Sequence, residues 1–155
     1  MVELSGTFNV VLVEPEIPPN TGNIGRLCLA TGSTLHLVEP LGFRLDDKQL
    51  KRAGLDYWDD VQLRTWKSFE ELKRHHAAAR FFFLTTKTNR PYFEVRFKAG
   101  DFLVFGRETK GLPEDLLAAN ETTTLTIPMQ GTRSLNLATA VGIVLFEAVR
   151  QQRLK

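Results

Sequence analysis

The sequence contains almost no cysteine and no long uninterrupted apolar run. Cys28 is the one cysteine among 155 residues, so an internal disulfide is excluded and a reducing, cytoplasmic location is expected. The longest apolar candidate, residues 135–146, is shorter than the roughly 18 residues that a membrane span needs. The N-terminal stretch MVELSGTFNV has no basic lead before an apolar run, so we expect no secretory signal.

Several chemical signatures are also missing. The sequence has neither G-x-G-x-x-G nor G-x-x-x-x-G-K-[ST], which argues against dinucleotide and P-loop nucleotide binding. His36, His75 and His76 show no metal-like spacing with carboxylates or with Cys28, so no metal site is expected. Cys28 lies between two leucines and is predicted to be a buried structural thiol. Ser134 has no evident histidine partner, which disfavours a hydrolytic triad.

The remaining composition is that of an ordinary globular protein. Apolar residues make up 43% of the chain and charged residues 25%, and the formal net charge is +2 at pH 7. This small positive excess permits a nucleic-acid partner but does not require one. The length predicts a single domain, residues 1–155.

Apolar strands alternate with helical segments along the chain, which predicts an α/β fold with a mainly parallel sheet flanked by helices. Strands are predicted at residues 8–13, 35–38, 61–66, 80–85, 101–105 and 125–127. Helices are predicted at 20–31 with Asn20 or Thr21 as cap, at 48–52 capped by Asp46, at 68–79, and from Pro113. Three prolines argue against regular structure in residues 14–19.

The stretch TLTIPMQGTRSLNLATAVGIVLFE, residues 124–147, reads as a short strand, a polar loop and a long helix. Ser134 is predicted to cap this helix, an interaction worth about 1 kcal/mol. Gly142 lies in the helix interior, where glycine costs roughly 1 kcal/mol relative to alanine. We therefore expect a buried helix with another stretch of backbone passing close to it.

Three irregular segments, residues 14–26, 106–113 and 128–136, each follow an apolar strand. The carboxyl ends of parallel strands share one edge of a sheet, where ligands bind, so the three segments can converge on one site. In the first segment, NTGNIGR places Asn20 and Arg26 at a helix start beside two glycines that allow close backbone approach. The structural alternative is a capped helix with a solvated arginine.

The second segment, FGRETKGLP, packs charges between two glycines. Gly106 directly after a buried strand suits a ligand lying on bare backbone, and the alternative is a tight turn with solvent-facing charges. Further along, KTNRPYFEVRFK (residues 87–98) holds four basic residues and one acid, interleaved with three aromatic residues. Such a segment can hold single-stranded RNA by phosphate contact and stacking, or form a solvated, partly packed loop.

Taken together, these motifs resemble the SPOUT superfamily of RNA methyltransferases, and within it the TrmH-like ribose 2′-O branch. NTGNIGR resembles the first motif of that branch, FGRETKGLP the second and IPMQGTRSLNLATAVGIVLFE the third, in this order and over nearly the whole chain. EPEIPPNTGNIGRLC followed by RAGLDYW is most similar to the short subgroup that methylates the wobble-nucleotide ribose, cytidine or uridine, of leucine tRNAs.

The resemblance implies a SPOUT α/β fold whose C-terminal segment forms a deep trefoil knot. It implies S-adenosylmethionine as the cofactor, S-adenosylhomocysteine as its product, tRNA as the partner, and a homodimer with composite active sites. Neither a membrane nor a metal is implied. Carried over by motif position, the cofactor would be surrounded by Leu84, Gly106, Ile127, Met129, Ser134 and Leu135. The catalytic positions would be Asn20, Arg26, Glu108, Ser134 and Asn136.

Arg26 would face the ribose 2′-hydroxyl, and the family proposal makes this arginine the general base. Because a guanidinium stays protonated, we favour a role in holding a phosphate and stabilising the developing alkoxide. The sequence departs from the family pattern at Ala138-Thr139, where relatives often have Ser-Asn, at Gly25, which is often bulkier, and in a short loop at 130–133. These departures bear on RNA positioning and helix contacts more than on cofactor binding.

Three other functions stay open on the sequence. One is a knotted methyltransferase that acts on a base or on ribosomal RNA. Another is a non-catalytic RNA-binding module that relies on residues 87–98 and binds no cofactor. The last is a flavodoxin-like nucleotide-binding switch domain, which predicts affinity for phosphate ligands and a monomer.

Overall fold

The computed structural model describes residues 7–153, apart from the side chains of Asp56 and Arg153. Residues 1–6, on which the expectation of no secretory signal partly rests, lie outside the described part. The strands are β1 (Asn9–Val13), β2 (Thr34–Val38), β3 (Leu63–Trp66), β4 (Phe81–Leu84), β5 (Phe102–Phe105) and β6 (Thr124–Leu125). The helices are α1 (Pro18–Ala30), α2 (Lys48–Gly54), α3 (Phe69–His75), α4 (Glu114–Ala119) and α5 (Leu137–Arg153). Short 3₁₀ turns cover Leu55–Asp60, Tyr92–Glu94 and Glu121–Thr123.

The strands form one sheet in the order β3-β2-β1-β5-β4-β6, and every pairing between these strands is parallel. This confirms the predicted α/β fold with a parallel sheet flanked by helices. β4 and β5 are buried along their whole length because helices cover both faces of the sheet. All carboxyl ends therefore lie at one edge, the edge from which the three irregular segments emerge.

Alternate strand residues face two separate apolar clusters. On one face, Leu12 and Leu103 pack with Ile24 of α1 and Val144 of α5. On the other face, the alternate strand residues, among them Val11, Phe83 and Val104, pack with Phe69 and Leu72 of α3. The sheet is thus the middle layer, with α1 and α5 on one side and α3 on the other.

Helix α1 begins two residues earlier than the sequence predicts. Pro18 and Pro19 occupy its first turn, where a backbone N–H has no intrahelical acceptor and proline's fixed φ suits the helix. Ile17 is the N-cap residue and makes no side-chain capping bond, so the prediction that Asn20 or Thr21 caps the helix is wrong. The prediction of irregular structure is wrong for Pro18 and Pro19. The Asn20 side chain is consequently available for other contacts.

The other helix starts show one confirmed cap and two small corrections. Ser68 Oγ accepts the Glu71 N–H at 3.1 Å, as predicted, although α3 ends at His75 rather than near 79. Asp47, not Asp46, caps α2 by accepting from the N–H groups of Gln49 and Leu50. Pro113 is the N-cap residue of α4, one position before the helix begins.

Helix α5 begins at Leu137, and its cap is Asn136 rather than Ser134. Asn136 Oδ1 accepts the Thr139 N–H at 3.2 Å, while Ser134 lies exposed in the preceding loop. The prediction for Ser134 is wrong because asparagine caps a helix as well as serine does, and Asn136 stands nearer the first helical turn.

The surroundings of α5 also differ from the prediction. A Cβ added at Gly142 would lie 3.6 Å from Leu27 Cδ1, which is an ordinary contact with a side chain and not with passing backbone. The helix is buried on one side only, since Phe146 is 44% exposed. Among residues 7–153, none of the helices combines the length and apolar character of a bilayer span.

Candidate active site

Glu108, in the loop after β5, is bonded to the start of α1. Its carboxylate accepts the backbone N–H groups of Glu16 at 2.8 Å and Ile17 at 2.9 Å, and the Asn20 side-chain amide at 3.2 Å. The amides at a helix start lack intrahelical acceptors and form the positive end of the helix dipole, so they favour a carboxylate. Glu108 therefore fixes the second motif against the first.

Asn20 extends this connection to the third motif. Asn136 Nδ2 donates to Asn20 Oδ1 at 3.0 Å, and Asn20 is only 6% exposed. Glu108, Asn20 and Asn136 thus form a hydrogen-bonded chain, which we call the relay. The relay joins segments 14–26, 106–113 and 128–136, which the sequence predicts can converge.

Glu16 provides a return contact that the sequence reasoning missed. Its Oε1 accepts the Thr109 N–H at 3.0 Å and the Thr109 hydroxyl at 2.8 Å. These two hydrogen bonds, with smaller contributions from the charges of Arg107 and Lys110, hold the pKa of Glu16 below its ordinary value. The available signal was a carboxylate between Pro15 and Pro18, shortly after the buried strand β1.

Arg26 is exposed on α1 and lines a cavity of about 680 Å³ together with Asn136. We call it the Arg26 cavity. Its other lining residues come from α1, from the 3₁₀ turn after α2 and from the start of α5: Asn23, Leu27, Leu29, Ala30, Tyr57, Ala138 and Thr139. The guanidinium and the last amide of the relay therefore face the same space. Ala138 and Thr139, where the sequence departs from the family pattern, also lie there.

A second cavity, of about 640 Å³, lies beside the loop between β6 and α5. We call it the Met129 cavity. Its walls are Thr86, Thr88, Asn89, Pro91, Thr126, Ile127, Pro128, Met129, Thr132 and Arg133. The lining combines apolar residues with threonines. The volume lies within the roughly 300–1,000 Å³ of small-molecule sites. Ile127 and Met129, two predicted cofactor residues, are among its walls.

The other predicted cofactor residues are not among the walls of either cavity. Leu84 is buried at the end of β4, Leu135 is half-buried, and Ser134 is exposed with its carbonyl accepting the Thr132 hydroxyl. A Cβ at Gly106 would lie 2.1 Å from the Gly111 carbonyl carbon. The missing side chain of Gly106 is thus required by the chain's own tight turn, which was the structural alternative for this motif. Contact of these residues with a cofactor stays a prediction.

The two glycines of the first motif also accommodate neighbouring parts of this chain. A Cβ at Gly22 would lie 2.2 Å from the Leu50 carbonyl oxygen of α2. A Cβ at Gly25 would lie 2.7 Å from the ring of Trp58, which is buried. The close approach predicted for these glycines is therefore made by α2 and Trp58, and the larger residue common in relatives at position 25 would displace that ring.

Residues 87–98 form a partly packed loop. Phe97 is buried and its N–H donates to Gln151 of α5, and Lys87 forms an ion pair with Glu114 at 3.3 Å. Arg90 donates to the Thr122 carbonyl. Phe93 is 54% exposed and is the aromatic residue of this segment available for stacking. RNA binding by the segment stays a prediction.

Cys28 and His36 are both buried outside the site. Burial raises the pKa of the Cys28 thiol to about 12, in keeping with a structural role. Burial, with smaller contributions from the charges of His76 and Arg64, lowers the pKa of His36 to about 4. Among residues 7–153, no group of three or more histidine, cysteine or acidic side chains is placed to hold a metal ion.

Comparison with known proteins gives consistent similarities. The profile described as the SpoU rRNA Methylase family matches residues 7–146. A tRNA (cytidine(34)-2′-O)-methyltransferase of Saccharophagus degradans is 49% identical over 146 residues, covering 93% of this chain and 95% of its own. A solved structure described as "Structural insights into the 2-OH methylation of C/U34 on tRNA" superposes with a TM-score of 0.92 at 47% identity, covering 97% of this chain and 99% of that one.

A more distantly related structure contains a bound cofactor. The AdoMet-bound rRNA methyltransferase from Sinorhizobium meliloti superposes with a TM-score of 0.83 at 27% identity. The match covers 96% of this chain and 57% of the other.

Proposed function

The chain belongs to the SpoU methylase family, and from that premise we propose that it is an S-adenosylmethionine-dependent tRNA ribose 2′-O-methyltransferase. The observation that carries the proposal is the relay of Glu108, Asn20 and Asn136, because it unites all three sequence motifs beside the cavity of Arg26. A relative about half identical over nearly the full length of both chains is named for this reaction at cytidine 34.

The substrate we propose is the wobble nucleotide of tRNA, cytidine or uridine at position 34. The names of the relative and of the similar structure point to this nucleotide. We propose more specifically that the substrates are leucine tRNAs, because EPEIPPNTGNIGRLC and RAGLDYW resemble the short subgroup that methylates their wobble nucleotide. We further propose that the chain acts in the cytoplasm and that residues 1–155 form one domain.

The Met129 cavity is the proposed cofactor site, and the residues present there fit the cofactor. Ile127, Pro128 and Met129 offer apolar walls to an adenine ring, and threonine hydroxyls offer partners to a ribose. When bound, S-adenosylmethionine would supply an electrophilic methyl group for in-line attack by the ribose 2′-oxygen, with the neutral thioether S-adenosylhomocysteine as the leaving group. The AdoMet-bound rRNA methyltransferase that this chain resembles supports the choice of cofactor.

Arg26 is the proposed residue at the reacting ribose. A guanidinium keeps its proton at physiological pH, so it can bind a phosphate and stabilise negative charge that develops on the 2′-oxygen, but it is poorly suited to remove a proton. We propose that the 2′-hydroxyl proton leaves through the neighbouring phosphate or a water molecule. Asn20 and Asn136 fix the start of α5 beside Arg26, and this positioning is the main contribution of the relay.

A homodimer with composite active sites is the proposed assembly. Arg26 and Met129 lie in two cavities that share no lining residue within one chain. The reacting ribose must nevertheless meet both a guanidinium and a methyl donor. A partner that brings its Arg26 cavity to the Met129 cavity of the first copy satisfies this requirement, and Tyr57, 51% exposed on the Arg26 cavity, offers apolar surface for such a contact.

A C-terminal trefoil knot is the proposed topology. Residues 90–97 bond to the chain on both sides: Tyr92 N–H donates to Thr126 and Thr126 N–H to Arg90, while Phe97 N–H donates to Gln151 of α5. Thr126, the residue that follows β6, and helix α5 therefore flank the same loop, and this arrangement supports a C-terminal segment threaded through it.

Methylation of a panel of unmodified and native tRNAs, with the product nucleotide identified by mass spectrometry, tests the proposed function. We expect 2′-O-methylcytidine or 2′-O-methyluridine at position 34 of leucine tRNAs. Methylation of a base or of ribosomal RNA would favour the rival enzyme. RNA binding without S-adenosylmethionine binding in calorimetry would favour the non-catalytic module.

A further inference from the structure

Two loops at the carboxyl edge of the sheet are bonded to each other reciprocally. Glu108 accepts the N–H groups of Glu16 and Ile17, and Glu16 accepts the N–H and hydroxyl of Thr109. The donors and acceptors are neighbours in both loops, at residues 16–17 and 108–109. We call this double contact the clamp.

The clamp constrains orientation as well as distance. One hydrogen-bonded contact leaves two loops free to rotate about it, whereas two contacts in opposite directions fix their relative angle. The loop of residues 106–111 is itself closed, because Gly111 N–H donates to the Arg107 carbonyl at 2.8 Å. A rigid turn is therefore fastened to the residues that begin α1.

Asn20 lies within the first turn of α1, directly after the clamped residues. Asn20 also bonds to Glu108, so a rotation of the 106–111 loop would move the relay that ends at Asn136. Glu16 is thereby connected to the site without lining either cavity.

We propose that Glu16 is a positioning residue for methyl transfer, which acts through Thr109 and Glu108 to hold Asn20 and Asn136 in place. This inference rests on the proposed function. Glu16 is half-buried and Thr109 is exposed, so water can replace a lost partner and the net effect on global stability should be small. Loss of the clamp is therefore expected to change the orientation of the site more than the folding of the chain.

The test compares Glu16→Ala, Glu16→Gln, Thr109→Val and the double variant Glu16→Ala/Thr109→Val in the full chain, with tRNA and S-adenosylmethionine as substrates. Glu70→Ala is the matched control, because Glu70 is an exposed carboxylate on α3 outside the clamp. We expect Glu16→Ala to lower kcat by about 10- to 100-fold, as for a small misplacement of reacting groups. Its dissociation constant for S-adenosylmethionine and its Tm should match those of Glu70→Ala.

The remaining variants separate positioning from simple structural damage. Glu16→Gln keeps an oxygen that accepts from Thr109 and should recover most of the lost kcat. Thr109→Val removes the hydroxyl but keeps the backbone N–H, so its loss should be smaller, and it should add nothing to Glu16→Ala.

Each contrary result has a distinct meaning. An active wild-type protein with an equally active Glu16→Ala variant overturns this inference alone. Parallel loss of kcat, cofactor affinity and Tm in Glu16→Ala also overturns it, in favour of a folding role. A wild-type protein that transfers no methyl group to any tRNA contradicts the proposed function itself.

Discussion

Asn136 donates its side-chain amide to Asn20 at 3.0 Å, across 116 positions of the sequence. The same Asn136 side chain caps α5 by accepting the Thr139 N–H. One residue thus begins the C-terminal helix and bonds it to the first helix, beside Arg26. The Asn136 side chain therefore affects both the stability of α5 and the geometry of the site. Different substitutions at this position can separate the two effects.

Asn136→Ala should lose both contacts. The lost cap should lower the free energy of unfolding by about 1 kcal/mol, and the lost bond to Asn20 should reduce methyl transfer further. Asn136→Asp keeps a capping oxygen but has no amide donor for Asn20. We expect Asn136→Asp to unfold near the wild-type denaturant midpoint while transferring methyl groups as poorly as Asn136→Ala. Wild-type activity in Asn136→Asp would show that the amide bond is dispensable.

Gly106→Ala should be strongly destabilising. Its Cβ would lie 2.1 Å from the carbonyl carbon of Gly111, and backbone cannot yield as a flexible side chain does. Overpacking of this kind costs about 1–3 kcal/mol or more. The matched control is Gly142→Ala, whose Cβ would meet Leu27 at 3.6 Å and which should gain up to roughly 1 kcal/mol from helix propensity. Urea unfolding measures whether each variant loses or gains stability. Equal midpoints for the two variants would contradict the close packing at Gly106.

Thr21→Val should stabilise the protein. Thr21 is fully buried in α1, and its hydroxyl is the buried side-chain polar atom in residues 7–153 that lacks a hydrogen-bond partner. Such an unpaired group costs about 1–3 kcal/mol, which an isosteric methyl group avoids. Thr31→Val is the control, since the Thr31 hydroxyl bonds to the Leu27 and Cys28 carbonyls and to Ser33. Chemical denaturation should move the two midpoints in opposite directions, and a lower midpoint for Thr21→Val would reveal a bond to the hydroxyl.

Stability should fall as the pH drops below about 6.5, because His36 is buried in its neutral form. Trp66 Nε1 donates to His36 Nδ1, so Nε2 carries the proton and donates to Asn9. The pKa of His36 is lowered from 6.5 to about 4, so between these values the unfolded chain binds the proton more tightly and is favoured. The stabilisation is complete above the unfolded pKa and declines as the pH falls towards the folded one.

The total loss from His36 is on the order of 3 kcal/mol by pH 4, at about 1.4 kcal/mol for each pKa unit. Urea unfolding at several pH values between about 7.5 and 4 measures this loss. His36→Gln removes the titrating group, so its stability should vary less with pH than that of the wild type. An identical slope in both proteins would assign the effect to other groups.

The sequence predicted most of the fold, because strong local patterns determine it. Short apolar runs such as FFFL at β4 and FLVF at β5 favour strands buried on both faces, and Ser68 has the expected capping geometry. Element boundaries were less predictable. Proline disrupts a helix interior but is tolerated in the first turn, so the two prolines at the start of α1 misled the prediction of its boundary.

The candidate site was predictable only where a motif identified a residue. Asn20, Glu108 and Asn136 meet as the motifs suggest. Glu16 lies outside the NTGNIGR motif, so no motif pointed to its bond with Thr109. At Gly106 and Gly25 the motifs identified the residue but not the group that packs against it. A glycine predicts close approach, yet the sequence does not say whether ligand, neighbouring backbone or a ring such as Trp58 fills the space.

The central claim, that Arg26 acts on the ribose and not on the cofactor, is tested most directly by Arg26→Ala. The measurement is the yield of 2′-O-methylated nucleotide 34 in tRNA, paired with calorimetric titration of S-adenosylmethionine. Arg26 lines its own cavity, apart from that of Ile127 and Met129. We therefore predict loss of methyl transfer with nearly unchanged cofactor affinity. Retained methyl transfer, or an equal loss of transfer and cofactor affinity, would contradict the account.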